Sequence, residues 1–135
     1  MSTTKQPSSN RPYLLKALFE WLVDNELTPY VIIDQEEAQL PIPGKADDAQ
    51  IVLNISPAVT PNLSIGKQVM TLTARFQNSE PMDLTIPISS VIAIYSKEHG
   101  EGMLFTAESD LNVGDPGGKS PTTGEGRRDH LSVIN

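Results

Sequence analysis

The chain has 135 residues, a formal charge of −7, 38% hydrophobic residues and no cysteine. That length predicts one domain with a tail to spare, and the low apolar share predicts a core of about 100 residues diluted by polar ends. The acidic balance argues against a phosphate backbone as the main ligand, and the missing thiols exclude a disulfide framework, a thiolate nucleophile and a zinc–thiolate site.

Residues 1–10, MSTTKQPSSN, read as a flexible polar leader without the apolar core of a signal peptide. No apolar run is long enough to cross a bilayer, so a soluble cytoplasmic protein is the expectation. The stretch RPYLLKALFEWLVDNEL predicts a helix over 12–25. Pro12 suits a first turn, Ser9 or Asn10 can cap, and Thr28-Pro29 stops the helix because proline disfavours helical backbone in the residue before it. Leu14, Leu18, Trp21 and Leu22 lie on one side, and Tyr13, Leu15, Ala17, Phe19 and Val23 spread over the rest. Only Lys16, Glu20 and Asp24 form a polar stripe, so the helix buries more than one flank. It is either a deeply inserted core helix or one packed between its own domain and a second copy.

Beyond the helix the apolar period changes to two. Residues 28–34 (TPYVIID) predict a strand. Residues 35–49 predict irregular chain, because Pro41, Pro43 and Gly44 forbid a central strand, with a short edge possible at 39–42. Residues 50–56 (QIVLNIS) predict a strand and 57–62 a proline-rich loop. Residues 68–76 alternate, with Val69, Thr71, Thr73 and Arg75 on one face and Met70, Leu72, Ala74 and Phe76 on the other. Further strands are expected at 82–88, 89–96 and 103–105, separated by turns. The fold class is therefore mainly β with one N-terminal helix, a small antiparallel sandwich or open barrel. From residue 106 glycine, proline, serine and threonine take over, which predicts a flexible tail. An apolar cluster, Leu131, Val133 and Ile134, nonetheless stands at its end in HLSVIN, as a frayed remnant or a docking peptide.

Catalytic constellations are missing from the pattern. His130 is in the tail and His99 sits in the turn KEHGEG. No metal-protease, nucleophile-elbow or phosphate-loop motif occurs. The pairs Glu36-Glu37 and Asp47-Asp48 read as solvated loop acids, since cation binding needs ligands from several directions. Arg75, on the face of two threonines, is either solvated or aimed at a carboxylate or carbonyl of a bound peptide. Composition and spacing lead to a dimeric, non-enzymatic binding module without cofactor or metal.

Four segments carry a resemblance: RPYLLKALFEWLVDNELTPYVIID, QIVLNISPAVTPNLSI, ARF at Ala74 to Phe76, and VIAIYSKEHGEGMLF. In order and spacing they resemble the stringent starvation protein B (SspB) family across residues 11–105. The resemblance implies an Sm-like, SspB-like fold of small β-sheets and a homodimer joined through the N-terminal helix, with Leu14, Leu18, Trp21 and Leu22 at the interface. It implies an adaptor that tethers ssrA-tagged polypeptides to the ClpXP protease. It also implies a tag groove beside Ser56, Pro57, Ala58 and Val59 and the strand end Arg75, Phe76 and Gln77. The chain then divides into a leader (1–10), a tag-binding and dimerisation domain (11–105), a linker (106–130) and a docking motif (131–135).

The family's tail ends in Leu-Arg-Val-Val-Lys, which docks on the N-terminal domain of ClpX. Leu131, Val133 and Ile134 match its apolar positions, while Ser132 replaces the arginine and Asn135 the lysine. This predicts weaker docking or a tip tuned to a different ClpX. Three buried aliphatic side chains contribute on the order of 5–8 kcal/mol gross, reduced by the cost of ordering the tail. A linker of about 25 residues reaches roughly 25–30 Å, and two tips per dimer add avidity. The alternative is an Sm-like RNA- or ribosome-associated protein, which the acidic charge and the lack of a basic, aromatic-studded face oppose; neither nucleic acid nor membrane is an expected partner.

Overall fold

The computed structural model describes residues 8–76, 80–105 and Val133. Gln77, most of the leader, the linker and Leu131, Ser132, Ile134 and Asn135 lie outside the described residues. The chain runs α1 (Arg11–Asp24), β1 (Pro29–Asp34), α2 (Gln35–Ala38), β2 (Gln50–Asn54), β3 (Ser64–Ile65), β4 (Val69–Ala74), β5 (Met82–Pro87), a 3-10 turn (Ile88–Ser90), β6 (Val91–Ser96) and β7 (Gly102–Leu104).

Helix α1 starts one residue before the expected position. Asn10 is its N-cap without a side-chain cap bond, and the Ser9 hydroxyl oxygen accepts from the Arg11 N–H at 3.1 Å. At the other end Glu26 N–H donates to the Val23 carbonyl and Leu27 N–H to the Leu22 carbonyl, both at 2.9 Å. This pair of bonds is a Schellman closure, which requires left-handed backbone at the residue between. Glu26 has φ of 62° there, where a side chain costs about 1–2 kcal/mol. Glu26→Gly is therefore expected to stabilise the domain by about 0.5–1 kcal/mol, after the larger unfolded-state freedom of glycine is set against the relieved strain. Urea unfolding checks it, and an unchanged or lower midpoint would show that the Glu26 side chain offsets its own strain.

The strands form two antiparallel sheets, ordered β2-β1-β6-β7 and β3-β4-β5. In β1 the side chains of Val31 and Ile33 are fully buried, and in β4 Met70, Leu72 and Ala74 face inward, as the two-residue period requires. The inner faces of both sheets meet in one core with Leu15 and Leu22 of α1, Leu53 and Ile55, Leu84 and Ile86, and Ile94. The result is a mainly β domain of two open sheets with one long helix, as the alternation predicts.

Two local expectations are corrected. The strands stop early: β2 ends at Asn54 and β4 at Ala74, before the expected ends at 56 and 76. Pairing decides this: the β4 ladder ends at Met82, the first residue of β5, and beyond Asn54 only the Ile55 N–H continues, to the carbonyl of Pro29, which has no N–H to return. Residues 39–42 are not an edge strand. Asp34 caps the single turn of α2 by accepting the Glu36 N–H, and Gln39 closes it with φ of 50°. Leu40 and Ile42 then drop into the core, 3% and 4% exposed. The turn is held by buried Gln35, whose amide donates to the Leu40 carbonyl at 2.9 Å and the Lys45 carbonyl at 3.1 Å and accepts from the Leu40 N–H at 2.8 Å.

Arg11 is buried at the start of α1. Its guanidinium donates to the Ser89 carbonyl at 2.9 Å and the Val91 carbonyl at 3.1 Å, and lies 5.4 Å from the ring centre of Phe105. The first residue of the helix is thus tied to the start of β6 and to the end of the domain, satisfying carbonyls that burial would otherwise leave costly.

Candidate functional site

The loop that follows β2 is shaped by its own polar groups. Asn54 Oδ1 accepts the Ser56 N–H at 2.9 Å. The Ser56 carbonyl in turn accepts the N–H groups of Val59 at 2.9 Å and Thr60 at 2.8 Å, and the Thr60 hydroxyl at 3.2 Å. This closes a tight turn with Thr60 buried beneath it. Pro57, Ala58 and Val59 are pushed to the surface, with Ser56 half-buried behind them.

The far side of the loop is fastened to β4. Asn62 stands opposite Thr73, where the register of β3 on β4 would continue. Its Nδ2 donates to Thr73 Oγ1 at 2.7 Å and its Oδ1 accepts the Thr73 N–H at 3.1 Å. Thr73 Oγ1 passes the chain on, donating to Asp83 Oδ1 at 2.6 Å. Each group donates or accepts in the one sense open to it, so the three residues form a satisfied relay.

The loop is thereby fixed to β4 two residues before Arg75. Beyond the strand end the alternation persists: Arg75 is exposed and Phe76 is 7% exposed, within the core. The structure therefore puts Ser56, Pro57, Ala58 and Val59 and the Arg75-Phe76 strand end on elements joined by the Asn62–Thr73 clamp. Gln77 lies outside the described residues. The sequence pattern gives Asn54 and Asn62 no role and places Thr73 only on the face it shares with Arg75, although all three position the loop. Asn62 directly after Pro61 was the available turn signal. A separate depression between the start of α1 and the β3–β4 turn, lined by Ser9, Arg11, Tyr13, Lys67 and Ser89, shares no residue with this loop.

On α1 the expected contact set divides. Leu22 is fully buried in its own core, on the inward line it shares with Leu15. Leu14 and Leu18 are partly buried and pack against that core. Trp21, at 48% exposure, is outward, and so is Tyr13 at 53%.

His99 sits in an exposed turn, with its backbone N–H on the Ser96 hydroxyl oxygen at 2.9 Å. Beside it the Glu98 carboxylate accepts the Thr28 N–H at 2.9 Å and the Thr28 hydroxyl at 2.7 Å. These bonds hold the Glu98 carboxyl below its ordinary pKa, the backbone bond most strongly. Among the described residues no three His, Asp or Glu side chains gather to hold a metal ion, and no helix is long and apolar enough to cross a membrane.

Fold and site together define a small two-sheet β domain that presents exposed loop and strand-end side chains and an exposed aromatic helix flank. A family model, Stringent starvation protein B, matches residues 9–131. The chain is also 39% identical over 119 residues to the Stringent starvation protein B homolog of Haemophilus influenzae, covering 85% of this chain and 78% of that protein. The chain belongs to the stringent starvation protein B family, and membership supports an adaptor-type function.

Proposed function

We propose that this chain is a cytoplasmic proteolytic adaptor. It binds ssrA-tagged polypeptides and tethers them to the ClpXP protease through residues 131–135, which engage the N-terminal domain of ClpX. The observation that carries the reading is the family match over residues 9–131, which spans both the 56–59 loop and the expected linker. The geometry adds a physical basis. An extended peptide laid along the loop meets a small apolar wall at Ala58 and Val59, and Arg75 supplies a charged donor at the strand end.

No bond chemistry is required. Holding substrate and unfoldase on one molecule raises the local substrate concentration at the protease. Pairing of two copies through α1, with Tyr13 and Trp21 outward and Leu14 and Leu18 beside them, would cover the exposed aromatic flank and present two tips per assembly.

Fluorescence anisotropy of a labelled ssrA-tag peptide tests the reading. The native chain is expected to bind saturably, and Arg75→Ala to bind about tenfold more weakly, a difference of about 1.4 kcal/mol. Because Arg75 is exposed beyond the strand, its truncation leaves the core intact. Absence of binding by the folded native chain would mean that its cargo is not the ssrA tag.

A further inference from the structure

β2 lies at the edge of its sheet. Ile55 N–H donates to the Pro29 carbonyl, and Gln35 N–H donates to the Ala49 carbonyl, each at 3.0 Å. Between these bonds lie the register pairs Leu53 with Val31 and Ile51 with Ile33. Antiparallel alternation therefore turns the backbone groups of residues 49, 51, 53 and 55 toward β1. Val52 falls between them and directs its N–H and C=O to the outer edge. There it forms a parallel β-bridge with Val133. The Val52 side chain, on the sheet face opposite Ile51 and Leu53, stands outside the main core cluster and is nevertheless only 1% exposed.

The geometry points to a docking site for the chain's own end: residues 131–135 add to the outer edge of β2 as a parallel strand, in register through Val133. Strand addition supplies backbone hydrogen bonds from any sequence, and alternate apolar side chains set the preference. Val133, at an apolar position of LSVIN, meets both requirements. The span is easily covered. Val133 is 28 positions beyond Phe105, and a coil of that length has an r.m.s. extent of about 26–32 Å. Tethering at that distance gives an effective concentration on the order of millimolar, so a weak contact is well populated.

The docking does not depend on the adaptor reading; its consequence does. A tip seated on β2 cannot lend the same backbone to another partner. Whatever takes the tip must first lift it from Val52, and an extended peptide that adds to the same edge must also displace it. Occupancy of that edge and availability of the tip are then coupled by competition, with equal effect in both directions.

Amide hydrogen exchange followed by NMR on the full chain tests the docking without tag or protease. In the native chain the Val52 N–H is expected to be protected, and in full-length Val133→Pro and Val133→Asp to exchange at least about tenfold faster. The Leu53 N–H, which faces β1, serves as the internal control for an intact fold and is expected to be unchanged. Equal Val52 exchange in native chain and variants, with Leu53 still protected, overturns the proposal. Val52 protection that grows with protein concentration also overturns it, since the tip would then sit on a second copy.

Discussion

A single methyl group added at Gly102 is expected to destabilise the domain by about 2–4 kcal/mol. A Cβ at this position would lie 1.9 Å from the Ile94 carbonyl oxygen, 2.6 Å from Tyr95 Cα and 2.8 Å from the Ile94 carbonyl carbon. These are backbone atoms of β6, which is pinned on its other side by β1 through Val31 and Ile94. They cannot swing aside as a side chain would, so β7 must lift. Lifting breaks the pairs of Leu104, Met103 and Gly102 with β6 and withdraws Phe105, 5% exposed, from the core and from the Arg11 guanidinium. Overpacking alone costs about 1–3 kcal/mol, and the lost pairing adds to it. Gly100 is the control. It has φ of +82° with nothing within 4 Å of the position a Cβ would take, so Gly100→Ala carries only the backbone cost of about 1 kcal/mol. In a domain of this size each kcal/mol lowers the melting temperature by about 4–8 °C. Gly102→Ala is therefore expected to melt roughly 10–25 °C below the native chain and well below Gly100→Ala. Equal melting of the two variants would show that β7 moves off β6 at little cost.

Gln35→Leu is expected to cost about 3–4 kcal/mol although it puts an apolar residue at a buried site. Gln35 is 1% exposed, and its amide makes the three bonds that hold the α2 turn. Leucine leaves the Leu40 N–H and the Lys45 carbonyl without these partners, while the Leu40 carbonyl keeps the Ile42 N–H at 2.8 Å. Each orphaned buried group costs about 1–3 kcal/mol, less wherever the loop can open to water. The damage should be local first, because Leu40 and Ile42 are carried into the core by this turn. Urea unfolding measures the loss of stability. Faster amide exchange at Leu40 than in β4 under native conditions would locate it, and unchanged stability would show that the turn holds without the Gln35 amide.

The sequence was most legible where one local rule acted alone. Pro12 and the Thr28-Pro29 stop marked α1 to within a residue at each end, because proline geometry acts through its immediate neighbours. The alternation of residues 69–76 named the buried face of β4 correctly, including Phe76 beyond the strand end. The loop 56–59 and Arg75 are candidate site residues through the family resemblance alone, and their exposure was legible in the pattern only for Arg75. Their connection was not, because it runs through Asn62, eleven positions from Thr73.

What the sequence by itself determined is the class of the fold, the burial periods and the family, all of which reside in short-range patterns and in the order of segments. Only the tertiary structure decided the rest. Leu22 and Trp21 are neighbours in sequence, equally apolar in kind, yet one is in the core and the other is at the surface. The direction of the helix against the sheets makes that choice, and helical period alone leaves it open when nearly every position is apolar. Gln35 likewise reads as an ordinary polar loop residue until the chain folds back and brings Leu40 and Lys45 within hydrogen-bond reach. The outward edge of Val52 exists only once β1 has taken the alternate backbone groups of β2. Burial and hydrogen-bond partnership are properties of pairs of segments, and they are settled when the segments meet.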